Sequence, residues 1–306
     1  MINALVEKIK EKEAPVCVGL DPVIGLLPEF IKKKAFEEFG VCEKAVAEAF
    51  FEFNKTIIDA VYDLVPSVKP QIAMYEELGA AGVEAYIRTC AYAREKGLVV
   101  IGDVKRGDIG STSRAYANAH IGRVSIEDKE FSSFDADFAT VNPYMGSDGI
   151  NEFLKCCKEY DKGIFVLVKT SNPSSAELQD LKVGEDTVYE IVAGKVNEWG
   201  SDLIDSCGYS RVGAVVGATY PEIGRKLRSL MPKTYFLVPG YGAQGATGKD
   251  LKEYFDPDGL GAVINSSRGI IAAYKREPYI HFGEEGFGEA ARAATLDMIK
   301  DLRENC

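Results

Sequence analysis

Histidine is nearly missing from this sequence: His120 and His281 are the only two. Neither stands beside a catalytic-looking group, which sets aside a histidine-based triad and a zinc site. The seven cysteines (Cys17, Cys42, Cys90, Cys156, Cys157, Cys207 and Cys306) are odd in number, scattered and without a C-x-x-C pair. They read as reduced thiols of a cytoplasmic protein and offer no metal-site spacing. Cys156 and Cys157 are adjacent within a helical pattern, so they face different directions. No apolar run approaches the roughly 18 residues of a membrane span. The opening MINALVEKIKEKEAP is charged throughout and has no signal-peptide core; Ile2, Leu5 and Ile9 recur at helical spacing instead. Positive charge is in short supply, with 36 Lys and Arg against 47 Asp and Glu and a formal net charge of -11. That argues against the basic face a nucleic-acid or membrane-surface protein needs; it does not exclude a small anionic ligand, because a pocket can be locally positive. Internal repeats, low-complexity segments and a dinucleotide fingerprint are also lacking.

What the chain does have is alternation. Eight short apolar runs read as strands: 16–20, 67–69, 98–105, 138–142, 164–169, 212–216, 235–238 and 262–264. Helical patterns lie between them, over about 43–62, 82–96, 112–120, 143–157, 186–199 and 221–230, with a last one over 289–302. No linker interrupts the series. The expected fold is a single (β/α)8 barrel over residues 1–306, with a core of about 14–303 and inserted loops or helices. The stretches 22–40 and 119–135 read as those insertions. Polar residues stand at several strand ends: Asp21, Lys69, Asp103 with Lys105, Asn142 and Lys169. On such a barrel the carboxyl ends converge on one face, where ligands sit.

The stretch LVVIGDVKRGDIGSTS, residues 98–113, concentrates charge at one of those ends. Side chains two apart on a strand share a face, so Asp103 and Lys105 point one way and Val104 the other. Asp108 follows Gly107, where the strand has given way to a loop. An anion, a cation and a second anion therefore crowd one strand end, and nearby anions keep a lysine protonated. The loops after the seventh and eighth strands are the usual place for a phosphate. They read Pro239-Gly240-Tyr241-Gly242-Ala243-Gln244-Gly245 and Ser266-Ser267-Arg268-Gly269. Glycines let backbone N–H groups approach an anion. Arg268 offers a planar fork for phosphate oxygens and Gln244 an amide donor.

Together these pieces resemble the orotidine 5'-phosphate decarboxylase family, in its longer bacterial type. The family pattern D-x-K-x-x-D-I is met by Asp103-Val104-Lys105-Arg106-Gly107-Asp108-Ile109. The early L-D is met by Leu20-Asp21, and the second-strand lysine by Lys69. S-x-P is met by Ser171-Asn172-Pro173, P-G-x-G-A-Q by Pro239 to Gln244, and the final arginine by Arg268. The matches run in order from about residue 16 to 270. Against the short members, material is added near 22–40 and 119–135, and Ser267-Arg268-Gly269 stands where they have G-R-S.

The resemblance implies a cytoplasmic homodimer with shared active sites that converts orotidine monophosphate to uridine monophosphate and CO2, without cofactor or metal. It makes Lys105 the proton donor to C6 of the pyrimidine and lays Asp103 against the substrate carboxylate. Asp108 and Ile109 would enter the partner's site, with Thr112 close by. Asp21 and Lys69 would hold the ribose and the charge network, and Ser171 would meet the pyrimidine edge. Pro239, Gln244, Arg268 and the Gly269 backbone would take the phosphate.

The chemistry suits these residues. Loss of CO2 leaves a carbanion in the ring plane that no adjacent carbonyl can stabilise by resonance, so a fixed ammonium must do so electrostatically. Three rivals remain open. One is a metal-dependent phosphosugar aldolase or decarboxylase on the same barrel, similar to hexulose-phosphate synthase. Another is a Schiff-base aldolase using Lys69, Lys105 or Lys169, disfavoured because a lysine among acids is a poor amine nucleophile. The third is a silent barrel that only binds nucleotides.

Overall fold

Eight parallel strands pair into a closed barrel, and residues alternate inward and outward along each. In this computed structural model all residues are described except Thr219, Tyr220, Ala243 and Gln244. The barrel strands are β1 (Val16–Leu20), β2 (Ser67–Pro70), β3 (Val99–Arg106), β4 (Phe138–Val141), β5 (Gly163–Lys169), β6 (Ser210–Val216), β7 (Thr234–Pro239) and β8 (Ala262–Ser266). Each pairs in parallel with its sequence neighbours, and β8 returns to β1 through Val16↔Ile264, Cys17↔Asn265 and Val18↔Ser266. Helices α1 (Ile2–Lys12), α2 (Glu29–Phe39), α3 (Glu43–Val61), α4 (Gly79–Glu95), α5 (Gly110–Ile121), α6 (Ser147–Glu159), α7 (Val188–Gly200), α8 (Pro221–Leu230) and α9 (Phe287–Asn305) accompany it.

Two apolar layers result. The inward layer contains Cys17, Val99, Ile101, Phe138, Phe165, Val215, Tyr235, Leu237 and Val263, and it continues into Ile2, Leu5, Val6 and Ile9 of α1. The amphipathic spacing of α1 thus plugs the amino end of the barrel and leaves the carboxyl end as the open mouth. Phe138 and Phe165 fill the interior with ring centroids 5.1 Å apart. They need small neighbours: a Cβ on Gly163 would stand 2.2 Å from the Phe138 ring, and one on Gly213 2.4 Å from that of Phe165. The outward layer, including Val16, Val18, Val68, Val100, Val166 and Ile264, packs under the helices.

The inserted stretches are more ordered than their sequence suggests. The segment after β1 carries α2, which buries Ile31 and Ala35 on one face and stops at Gly40, at φ 77°. Residues 124–126 and 129–131 form a small antiparallel hairpin, and 182–183 with 186–187 a second. Cys156 and Cys157 are both buried because α6 is covered on both sides, Cys156 meeting Asn118 of α5 at 3.6 Å.

Candidate active site

The strand period carries the inward rows of β1 to β4 up to a charged floor at the mouth. Lys69 extends from β2 and donates to Asp103 Oδ2 at 2.6 Å. Lys105 pairs with Asp103 Oδ1. Gln71 Nε2 donates to Oδ2 at 3.0 Å, and the Thr140 hydroxyl of β4 donates to Oδ1 at 3.0 Å. One buried carboxylate is therefore clamped between two ammonium groups, where the spacing had placed one ammonium between two carboxylates. Burial by itself would push the Asp103 carboxyl up, but the two lysines outweigh it and hold it well below the usual carboxylate range. Burial would likewise lower Lys69, and Asp103 and Asp21 instead hold it above its ordinary value. Asp21 lies just beyond β1 with Oδ1 3.9 Å from Lys69. That oxygen is buried and accepts no hydrogen bond from the described residues.

Lys105 is half-exposed and reaches into a cavity of about 350 Å³. The opposite wall is apolar, made by Leu167, Val215 and Leu237 on β5, β6 and β7, with Pro239 above them. Thr170, Ser171 and Asn172, the first residues after β5, close one side. Gln179 braces that turn, accepting from the Thr170 N–H at 2.9 Å and donating to its hydroxyl at 2.8 Å.

Two of the polar strand ends do not join the cluster. Lys169 would face inward by alternation, but a register shift at Val216↔Lys169 turns it outward. There it meets Asp180 at 2.5 Å and lies over the Tyr189 ring of α7. Asn142 accepts from the Tyr144 N–H at 3.0 Å and caps a short 3-10 turn. Asp108 also leaves the cluster: its carboxylate turns onto the Ile109 N–H at 2.8 Å. Ile109 is 53% exposed and Thr112, in the first turn of α5, is exposed. At the phosphate end, Arg268 is exposed and opens the short helix Arg268–Ile271. Gly269 is buried beside a separate hollow of about 220 Å³ with Thr247, Ser266 and Arg276. Gln244 lies outside the described residues.

Residues 14–279 match the profile of the "Orotidine 5'-phosphate decarboxylase / HUMPS family". The chain belongs to this family. Two relatives named orotidine 5'-phosphate decarboxylase lie close to it. One, from Petrotoga mobilis, is 45% identical over 295 residues, covering 96% of this chain and 95% of its own. The other, from Caldicellulosiruptor bescii, is 44% identical over 279 residues, covering 91% of each. The solved structure of Leishmania donovani OMP decarboxylase superposes with a TM-score of 0.74 at 30% identity, covering 99% of this chain and 97% of that one. Membership in the decarboxylase family gives the shared pattern residues a common frame, but several cavity residues stand outside those patterns. Gln71, Thr140, Leu167, Val215 and Leu237 were not singled out from the sequence. Period-two counting from Lys69, Phe138, Phe165 and Tyr235 points four of them inward, a signal available without any motif.

Proposed function

We propose that this chain removes CO2 from orotidine 5'-phosphate to give uridine 5'-phosphate, the closing step of de novo pyrimidine synthesis. The observation that carries the reading is the buried Asp103 carboxylate, clamped between Lys69 and Lys105 and facing an apolar wall. A flat ring fits between such faces, with its reacting carbon towards the charges. As the C6–CO2 bond breaks, its electron pair stays on C6 in the ring plane. The Lys105 ammonium stands ready to stabilise that charge and then donates its proton to C6. Asp103, lying against the substrate carboxylate, keeps the ammonium in place, and its repulsion of that carboxylate ends when CO2 departs. Lys69 keeps Asp103 ionised. Asp21, whose buried Oδ1 accepts no hydrogen bond from the described residues, accepts from a ribose hydroxyl, and Ser171 meets the pyrimidine edge. Pro239, Gln244, Arg268 and the Gly269 backbone hold the phosphate, whose binding energy is available to place C6 over Lys105. No step uses a cofactor or metal.

The working unit in this proposal is a cytoplasmic homodimer in which Asp108, Ile109 and Thr112 complete the partner's site. Three features support it. Asp108 makes no ion pair with Lys105 within the described residues of its own chain. Ile109, Tyr144 and Met145, 53%, 84% and 52% exposed, sit together at the mouth end of α5 and α6. An open groove of about 560 Å³ begins at Ile109 and runs along α6. The assay is direct: the purified chain, treated with a chelator and given no cofactor, is mixed with orotidine monophosphate and the loss of its absorbance followed. Full turnover is expected. Activity lost to the chelator and restored by a divalent cation would move the reading to the metal-dependent rival, and uridine monophosphate binding without CO2 release to the silent barrel.

A further inference from the structure

We propose that Thr140 is a positioning residue of the decarboxylation: its hydroxyl fixes the backbone turn that brings the Lys105 amine onto Asp103. This rests on the decarboxylase reading above. Pairing of β3 with β4 is interrupted beside the cluster. From Gly102↔Ala139 to Arg106↔Val141, β3 advances four residues while β4 advances two. A bulge of that kind strips backbone N–H groups of their ladder partners. Two such groups, the N–H of Val104 and that of Lys105, are taken up by one atom, Thr140 Oγ1, each at 2.9 Å. The same hydroxyl donates to Asp103 Oδ1 at 3.0 Å. Its one donor and two acceptor sites are thus all used, and Thr140 is 1% exposed.

The backbone it holds is unusual. Lys105 has φ 46°, in the left-handed region that side chains other than glycine rarely adopt. Such a conformation persists only where its surroundings over-determine it. At this φ the Lys105 side chain folds back to pair with Asp103 Oδ1. Thr140 is the atom-level link between the strained turn and the carboxylate that receives the amine. Its loss would misplace the ammonium where negative charge develops at C6. Asp21, just beyond β1, and the groups assigned to the phosphate after β7 and β8 make no hydrogen bond to Thr140 among the described residues and would stay put. The effect therefore falls on the chemical step and not on binding.

The test compares the full-length wild type with Thr140→Val, Thr140→Ala and Thr140→Ser, measuring kcat and KM for orotidine monophosphate and the Kd for uridine monophosphate. Thr140→Val keeps the shape and removes the hydroxyl. Thr140→Ala leaves room for a water to satisfy the two N–H groups, so a folded protein is available if the valine variant does not fold. We expect kcat to fall about tenfold or more in both, with the Kd for uridine monophosphate within about threefold of wild type. Thr140→Ser should restore kcat to within about threefold, because it keeps the hydroxyl and loses only a methyl. The inference is overturned if Thr140→Ala keeps more than about half of the wild-type kcat, if serine fails as badly as alanine, or if kcat and ligand affinity fall together. A wild-type chain that releases no CO2 overturns the decarboxylase reading and this inference with it. Wild-type turnover with an unaffected alanine variant overturns this inference alone.

Discussion

Replacing Asp103 by Asn removes one charge from a site built on balance, and the cost follows from the geometry. Asp103 is buried, and Lys69, with 6% of its side chain exposed, donates to it at 2.6 Å. The next carboxylate oxygen available to Lys69 belongs to Asp21, 3.9 Å away. Removing one partner of a buried pair costs roughly 3–5 kcal/mol, mostly because the remaining charge stays buried without compensation. Asparagine keeps the shape and an acceptor oxygen, and Asp21 remains, so the lower end applies, about 3 kcal/mol. Unfolding entropy near 2.1 cal/mol/K per residue over 306 residues is about 640 cal/mol/K, which converts this to a Tm lowered by about 5 °C. The measurement is thermal unfolding followed by circular dichroism at pH 7, supported by urea titration. The double variant Asp103→Asn/Lys69→Met removes the stranded ammonium as well and should recover most of the lost Tm, while turnover stays absent.

The pH dependence has a definite sign. The Asp103 carboxyl is held below its unfolded value of about 3.9, so its contribution is present above that pH and is lost as pH falls through the depressed native value. Lys69 is held above about 10.4, so its contribution is present below that pH and is lost as pH rises through the native value. The difference between wild type and Asp103→Asn should therefore be flat from about pH 5 to 9. Asp103→Asn melting within about 1 °C of wild type, or a double variant melting no higher than the single, would refute the clamp as a source of stability.

Other expectations can be checked separately. Lys105→Ala should abolish turnover and leave the circular dichroism spectrum and uridine monophosphate binding intact; near-normal decarboxylation would remove its role as proton donor. Arg268→Ala should mainly weaken phosphorylated ligands, and an unchanged affinity for uridine monophosphate would mean that the phosphate site is elsewhere. Mixing inactive Lys105→Ala and Asp108→Asn chains should restore part of the activity through hybrid dimers with one intact site, and a mixture as dead as its components would count against a shared site. Burial, with a smaller push from Arg106, lowers the His120 imidazole to about 3. The unfolded state therefore takes up its proton first, and wild-type stability should fall by about 1.4 kcal/mol per pH unit as pH drops below about 6.5. His120→Phe keeps a ring against Phe134 and should lose that part of the acid sensitivity in urea titrations at pH 7, 5.5 and 4.5; an unchanged slope would show that His120 does not carry it.

The barrel was legible because its signals are local. Each strand is an apolar run of a few residues, and the helices between them carry their own period, so order alone implies closure. The helix Glu29–Phe39 lies in a stretch that reads from the sequence only as an insertion, although Ile31, Ala35 and Gly40 mark its face and its end. The site was legible only along single strands. Asp103 and Lys105 could be placed on one face by counting, but which charges meet across strands depends on register, and register is not written in either strand alone. The bulge in β3 is the clearest case. It arises from how four residues accommodate two on the neighbouring strand, and it decides that Lys105 turns left-handed and folds back. Register with β2 brings Lys69 and Gln71 to Asp103 and register with β4 brings Thr140, leaving Asp108 outside. Read along one strand, the centre of the site is a lysine; read across four, it is a carboxylate whose surroundings hold that lysine where it is needed. The two readings differ in what they expect of Thr140, which along its own strand is one more buried β-branched residue and across the bulge is the acceptor for the lysine's own backbone.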